Sequence, residues 1–231
     1  MKVKFLTIKK KTCFIILICA LFLSVFCFSF YAIKSTAGSP KPLHTIVIDA
    51  GHGGRDGGAI GVSGVSEAEL NLQYAKCLNL LAKEFGFKTV LTRSTSEGLY
   101  DKNASNKKKS EMEKRKQIIN SAGGDVMVSI HMNSNKLSSC KGAQIFYAKD
   151  NEKGKEFAQK VNMSVSQTFS SARKTPSVGD YFVLNCSSMP SILVECGFIS
   201  NESEEKDLKN KDYREKFCYS ILQGIISYFQ M

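Results

Sequence analysis

No two cysteines in this chain are spaced as a CxxC pair, which removes the ordinary cysteine-built metal site. The eight cysteines do not make a disulfide scaffold either. Three (Cys13, Cys19, Cys27) lie in one apolar run, and the other five are irregularly spaced and too odd in number to pair fully. Histidine is scarce, at three in 231 residues. Acidic residues are missing altogether from residues 1–42, which hold seven lysines. With those lysines set aside, the formal charge of +11 reduces to 25 bases against 21 acids, too mild a balance to imply a nucleic-acid partner. No internal repeat recurs, and a single module is expected. A content of 43% hydrophobic and 23% charged residues excludes a disordered or fibrous chain.

What is present begins with a membrane signal. Five lysines fall within residues 1–11, and Cys13 to Ile33 is an uncharged apolar run of 21 residues, long enough to cross a bilayer as a helix. The lysines would stay cytoplasmic and place the remainder outside the membrane. Two readings fit residues 1–33: an uncleaved anchor, favoured by length, and a signal segment cut near Ser35-Thr36-Ala37. Bulky Ile18 and Phe26 precede Cys19 and Cys27, which argues against a lipoprotein site. Residues 34–42 read as a linker, and 43–231 as the globular domain.

That domain opens with the β-branched run Thr45 to Asp49, suited to a buried strand, and a glycine-rich loop follows. Ser66-Glu67-Ala68-Glu69 has capping-box spacing, and Leu70, Tyr74, Cys77, Leu78 and Leu81 recur at helical intervals up to Phe85, where Gly86 stops the helix. Strands are expected over 87–92, 126–130, 143–147, 181–184 and 191–195, and helices over 111–122, 152–169 and 213–229. The alternation predicts an α/β fold, a three-layer domain with a mixed, mostly parallel sheet flanked by helices. The polar stretch 94–110 is long for a connection, and Lys107-Lys108-Lys109 reads as a solvated loop.

Two of the three histidines, His52 and His131, follow predicted buried strands, at the carboxyl ends where sites gather in α/β sheets. Singly, each is more often a hydrogen-bonded structural residue, which is the reading kept for His44. Two imidazoles and one carboxylate form a catalytic zinc set that leaves a position open. Glu67 and Glu69 compete for the third place. Capping accounts for Glu69, whereas Glu67 on the first turn faces back toward the glycine loop, which favours Glu67. Glu195 closes the apolar run Ser191 to Val194, and a charge there needs a partner or a task. It reads as a strand-end ion-pair or capping residue, or as a general base. Arg93, Asn133 and the loop around 179–181 are expected substrate contacts.

The segments IDAGHGG (48–54), DGGAIG (56–61), SEAELNL (66–72), VSIHMN (128–133) and ILVECGFISN (192–201) resemble, in order and spacing, the zinc-dependent N-acetylmuramoyl-L-alanine amidases. The resemblance runs from Thr45 to Phe229. It implies one zinc ion on His52, Glu67 and His131, with Glu195 catalytic, and peptidoglycan as substrate. Ala50 departs from the proline usual in the family, and Cys196 from a small or aliphatic residue. A short domain behind an apolar segment, with a basic stretch at 106–116, is most similar to the germination-specific amidases, which strip stems from cortex muramic acid before muramic lactam forms. That implies work between the two forespore membranes. A chain without wall-binding repeats also raises an activating partner protein. A zinc peptidase acting on the stem and a non-catalytic wall-binding relative are the alternatives.

Overall fold

The computed structural model describes residues 44–230, together with Leu21, Phe22 and Ser24. Apart from those three residues, the expected membrane segment lies outside the described residues, as does the linker. Among the described residues no helix is long and apolar enough to cross a membrane.

Six strands form one sheet: β1 (Thr45–Ala50), β2 (Lys88–Leu91), β3 (Val126–Asn133), β4 (Gln144–Tyr147), β5 (Ser177–Val178) and β6 (Ser191–Phe198), in the order β2-β1-β3-β6-β4-β5. The pairings of β1 with β2, β1 with β3 and β3 with β6 are parallel, and β4 runs antiparallel to β6. The sheet is therefore mixed and mostly parallel. The continuous apolar runs of β1, β3 and β6 follow from burial on both faces.

Among the described residues five helices flank it: α1 (Glu67–Glu84), α2 (Lys107–Ser121), α3 (Glu152–Thr168), α4 (Glu202–Lys209) and α5 (Lys211–Phe229). Alternate strand residues Ile46, Ile48, Val128 and Ile130 pack under α1, α3 and α5, with Tyr74, Phe157 and Phe217 filling that layer. The intervening residues Val47, Met127 and Leu193 meet Ile119 of α2 and Leu184 on the other face.

Local chemistry sets the ends. Ser66 caps α1 by accepting the Glu69 N–H at 3.3 Å. At its other end Gly86 adopts φ 86°, and its N–H reaches the Lys83 carbonyl at 3.0 Å.

Four expectations are corrected. The lysines at 107–109 are not loop but the first turn of α2, capped by the Asn106 side chain, which accepts the Lys109 N–H at 2.9 Å. The run expected as a strand over 181–184 is a 3₁₀ turn, Phe182–Asn185, because Tyr181 and Leu184 close an i to i+3 bond of 3.0 Å. Helix α4 was not expected. His131 and Glu195 lie inside strands that each run three residues beyond the predicted end, and a register shift between β3 and β6 follows them at Asn133.

Candidate metal centre

The site forms at the carboxyl edge of β1, β3 and β6. His52 sits two residues past β1 with φ 58°, the only non-glycine in the left-handed region among the described residues. Such backbone costs energy and persists only where surroundings impose it. Two arginines impose it here. Arg93 donates through Nε to the Ala50 carbonyl at 3.0 Å and through Nη2 to those of Gly51 and Ala68 at 2.9 and 2.8 Å. Arg115 donates to the Ala50 carbonyl at 2.8 Å and the His52 carbonyl at 3.0 Å. The carbonyls of three successive residues are thus fixed from behind. Gly51 is required because a Cβ there would run into the His131 ring.

Glu67 opens α1 and points into the same space. Its Oε1 lies 3.2 Å from His52 Nε2 and 2.9 Å from His131 Nδ1. Its Oε2 accepts the Ala59 N–H at 2.9 Å. The two rings stand edge-on, 5.0 Å apart at 74°. One donor atom from each of His52, Glu67 and His131 falls within 4.8 Å of the others. Glu69 stays outside this group, exposed and bonded to Gln73 at 3.3 Å.

The electrostatics match a cation-binding pocket. Burial works to lower His52, but the Glu67 and Asp56 carboxylates outweigh it and lift the ring to about 9. Burial works to raise Glu67, but the two histidines overcome it and hold the carboxyl well below the usual range. Both shifts record one attraction, between the rings and a Glu67 carboxyl kept ionised at the centre, the form in which a carboxylate binds a cation. His52 Nδ1 faces Asp56 Oδ2 at 3.0 Å, which leaves Nε2 for the centre, the carboxylate–histidine arrangement that orients metal ligands. Two nitrogens and one oxygen suit zinc. The residues present fit such an ion.

Glu195 is 9% exposed and is the register partner of His131. Burial raises its carboxyl to about 7, with His131 opposing the rise and Glu67 adding to it. Its Oε2 is buried with no hydrogen-bond partner. A buried carboxylate oxygen left unmatched costs stability and marks a place where a further group belongs.

The other expected residues divide. Arg93 is 4% exposed and its donors are taken up by backbone carbonyls, so it supports the loop rather than offering free donors to a substrate. Asn133 lies at the end of β3, half-buried, and donates to Gln144 at 2.8 Å. Tyr181 packs edge-on against Phe146 at 5.4 Å, and burial followed by the nearby Glu195 charge raises its hydroxyl. His44 stacks on Phe229 at 3.8 Å, away from the cluster, as a structural residue. Asp49, Asp56, Glu111 and Arg115 escaped the sequence reading. Asp56 alone left a signal, four residues after His52 in the glycine-rich segment.

Comparison with known proteins bears directly on this arrangement. Residues 46–227 match the family model described as N-acetylmuramoyl-L-alanine amidase. The germination-specific N-acetylmuramoyl-L-alanine amidase of Bacillus subtilis is 31% identical over 191 residues, covering 80% of this chain and 79% of that one. The uncharacterized protein YqiI of the same organism is 31% identical, covering 84% and 88%. Among solved structures, the CwlD amidase of Clostridioides difficile in complex with the GerS lipoprotein is similar at a TM-score of 0.77 and 34% identity, covering 81% of this chain and 98% of that one. With the family model spanning nearly all of the folded domain, this chain belongs to the N-acetylmuramoyl-L-alanine amidase family.

Proposed function

We propose that this chain is a zinc-dependent amidase that separates the stem peptide from N-acetylmuramic acid in spore cortex, with His52, Glu67 and His131 as ligands and Glu195 as general acid–base. The observation that carries it is the convergence of three metal-type donors beside a buried, unmatched oxygen of Glu195.

Bound zinc would supply Lewis-acid polarisation of the amide carbonyl and bring the pKa of water toward about 7. The chain's own groups do the rest. Asp56 holds His52 by its Nδ1, and the Ala59 N–H fixes one oxygen of Glu67. Glu195 takes a proton from the attacking water as the new C–O bond forms at the lactyl carbonyl, then gives it to the L-alanine nitrogen as the C–N bond breaks. The products are a muramic acid carboxylate and a stem with a free L-alanine amino group.

Cortex as substrate and the space between the forespore membranes as location are supported by likeness to the germination-specific amidase and to CwlD. Residues 1–33 then serve as the membrane anchor or signal, 34–42 as linker and 43–231 as the catalytic domain. The solved relative is a complex with a lipoprotein, and a partner protein that raises the activity already present in the zinc-loaded chain is part of this reading.

The test is digestion of purified cortex and vegetative peptidoglycan by the full chain with zinc, followed by mass spectrometry. Bare muramic acid and new L-alanine amino termini are expected. Cuts confined to the stem peptide would replace the amidase with a zinc peptidase.

A further inference from the structure

Between the loop that carries His52 and the first turns of α2 lies a cavity of about 640 Å³, walled by Gly53, Arg55 and Asp56 on one side and Tyr100, Lys107 and Lys108 on the other. Two carboxylates border it, and both are already matched. Asp56 accepts from His52 Nδ1 at 3.0 Å and the Gly58 N–H at 3.1 Å. Glu111 accepts from Arg115 at 2.8 Å and from the amides of Leu99 and Tyr100 at 2.5 and 2.9 Å.

The cations are matched less closely: Arg55 and Lys108 are exposed, and Lys108 acts on Asp56 only through its nearby charge. Among the described residues no ion pair joins Arg55, Lys107 or Lys108 to an acid. Lys107 is engaged only by the Lys102 carbonyl at 2.9 Å and the Tyr100 ring at 5.9 Å. The cavity therefore presents net positive charge, and it shares a wall with the metal centre, since Asp56 bonds directly to His52.

We propose that this cavity is the subsite for a carboxylate of the stem peptide, with Arg55 and Lys108 as the recognising cations. The proposal rests on the amidase reading above. A peptide residue spans about 3.5 Å, so the carboxylate carried by the second stem residue, a γ-linked glutamate, stands about 7 Å from the scissile amide. That places it beside the metal centre rather than across the fold. A charge-assisted bond from a guanidinium or ammonium would select the free acid over its amide.

The experiment compares two synthetic muramoyl peptides, identical except that this carboxyl is free in one and amidated in the other. Each is cleaved by the full chain loaded with zinc. The wild type is expected to show a KM about tenfold lower for the free acid, with kcat similar on both. The double variant R55Q/K108Q loses the preference by raising KM for the free acid, and R55K keeps it. Equal KM values in the wild type, or a preference that survives in the double variant, overturns the subsite. Cleavage of neither peptide overturns the amidase reading itself, and the subsite with it.

Discussion

His131 and Glu195 are register partners on adjacent parallel strands, so their side chains leave the sheet on the same face at the same edge. The pairing sets an acid–base group beside a metal-type histidine without making it a fourth donor, since Glu195 lies outside the three-residue cluster.

The first prediction separates these roles. Glu195→Gln keeps shape and burial but cannot accept a proton. Activity on peptidoglycan is expected to fall about 10²–10⁴-fold while zinc stoichiometry stays at one per chain. Loss of zinc in this variant would place Glu195 among the ligands instead.

Glu67→Gln should do the reverse. Oε1 of Glu67 stands between two imidazole nitrogens at 3.2 and 2.9 Å, and an amide cannot supply its charge. Zinc at a thousandfold excess over its Kd stabilises a folded chain by about 4 kcal/mol. The wild type should therefore unfold at a higher temperature with zinc than with a chelator, and Glu67→Gln should lose most of that difference.

The choice of Glu67 over Glu69 was legible because a cap leaves a spacing, Ser66 to Glu69, that the fold obeys. The strands β1, β3 and β6 were legible because burial on both faces forces apolar runs. Helix α4 was not. Its eight residues bury one apolar side chain, Leu208, and are held by carboxylates bonding backbone outside the helix, Glu204 to the amides of Gly142 and Phe198 at 2.8 Å each and buried Glu205 to that of Ser63 at 2.9 Å. Arg115, and the loop-holding role of Arg93, escaped for a related reason. Every residue has a carbonyl, so an arginine that binds carbonyls leaves no pattern in the sequence.

Arg115 carries the third prediction. Its guanidinium holds Asp49, Glu111 and the carbonyls of Ala50 and His52 together. A lysine ammonium is a single point charge and cannot span four acceptors. Arg115→Lys is expected to release the strained His52 loop and lower zinc affinity about 10–100-fold, as measured by competition with a chelating dye. Unchanged affinity would mean that Arg93 alone fixes the loop.

Asp49 links this network to acid stability. It is fully buried, and although burial works to raise it, Arg115, Ser129 and Thr92 together hold its carboxyl below the usual range. A lowered folded pKa contributes stability that is complete above the unfolded value, about 3.9, and is lost as pH falls through the folded value. Asp49→Asn should therefore cost about 3–5 kcal/mol at pH 7, because it leaves Arg115 short of a counter-charge in the interior. The gap between variant and wild type should narrow as pH drops below about 4. Urea unfolding in the presence of chelator isolates this effect from metal binding, because the histidine cluster then adds no zinc-linked term. A gap that stays constant down to pH 3 would show that Asp49 acts through packing and hydrogen bonds alone, with no charge gained from Arg115.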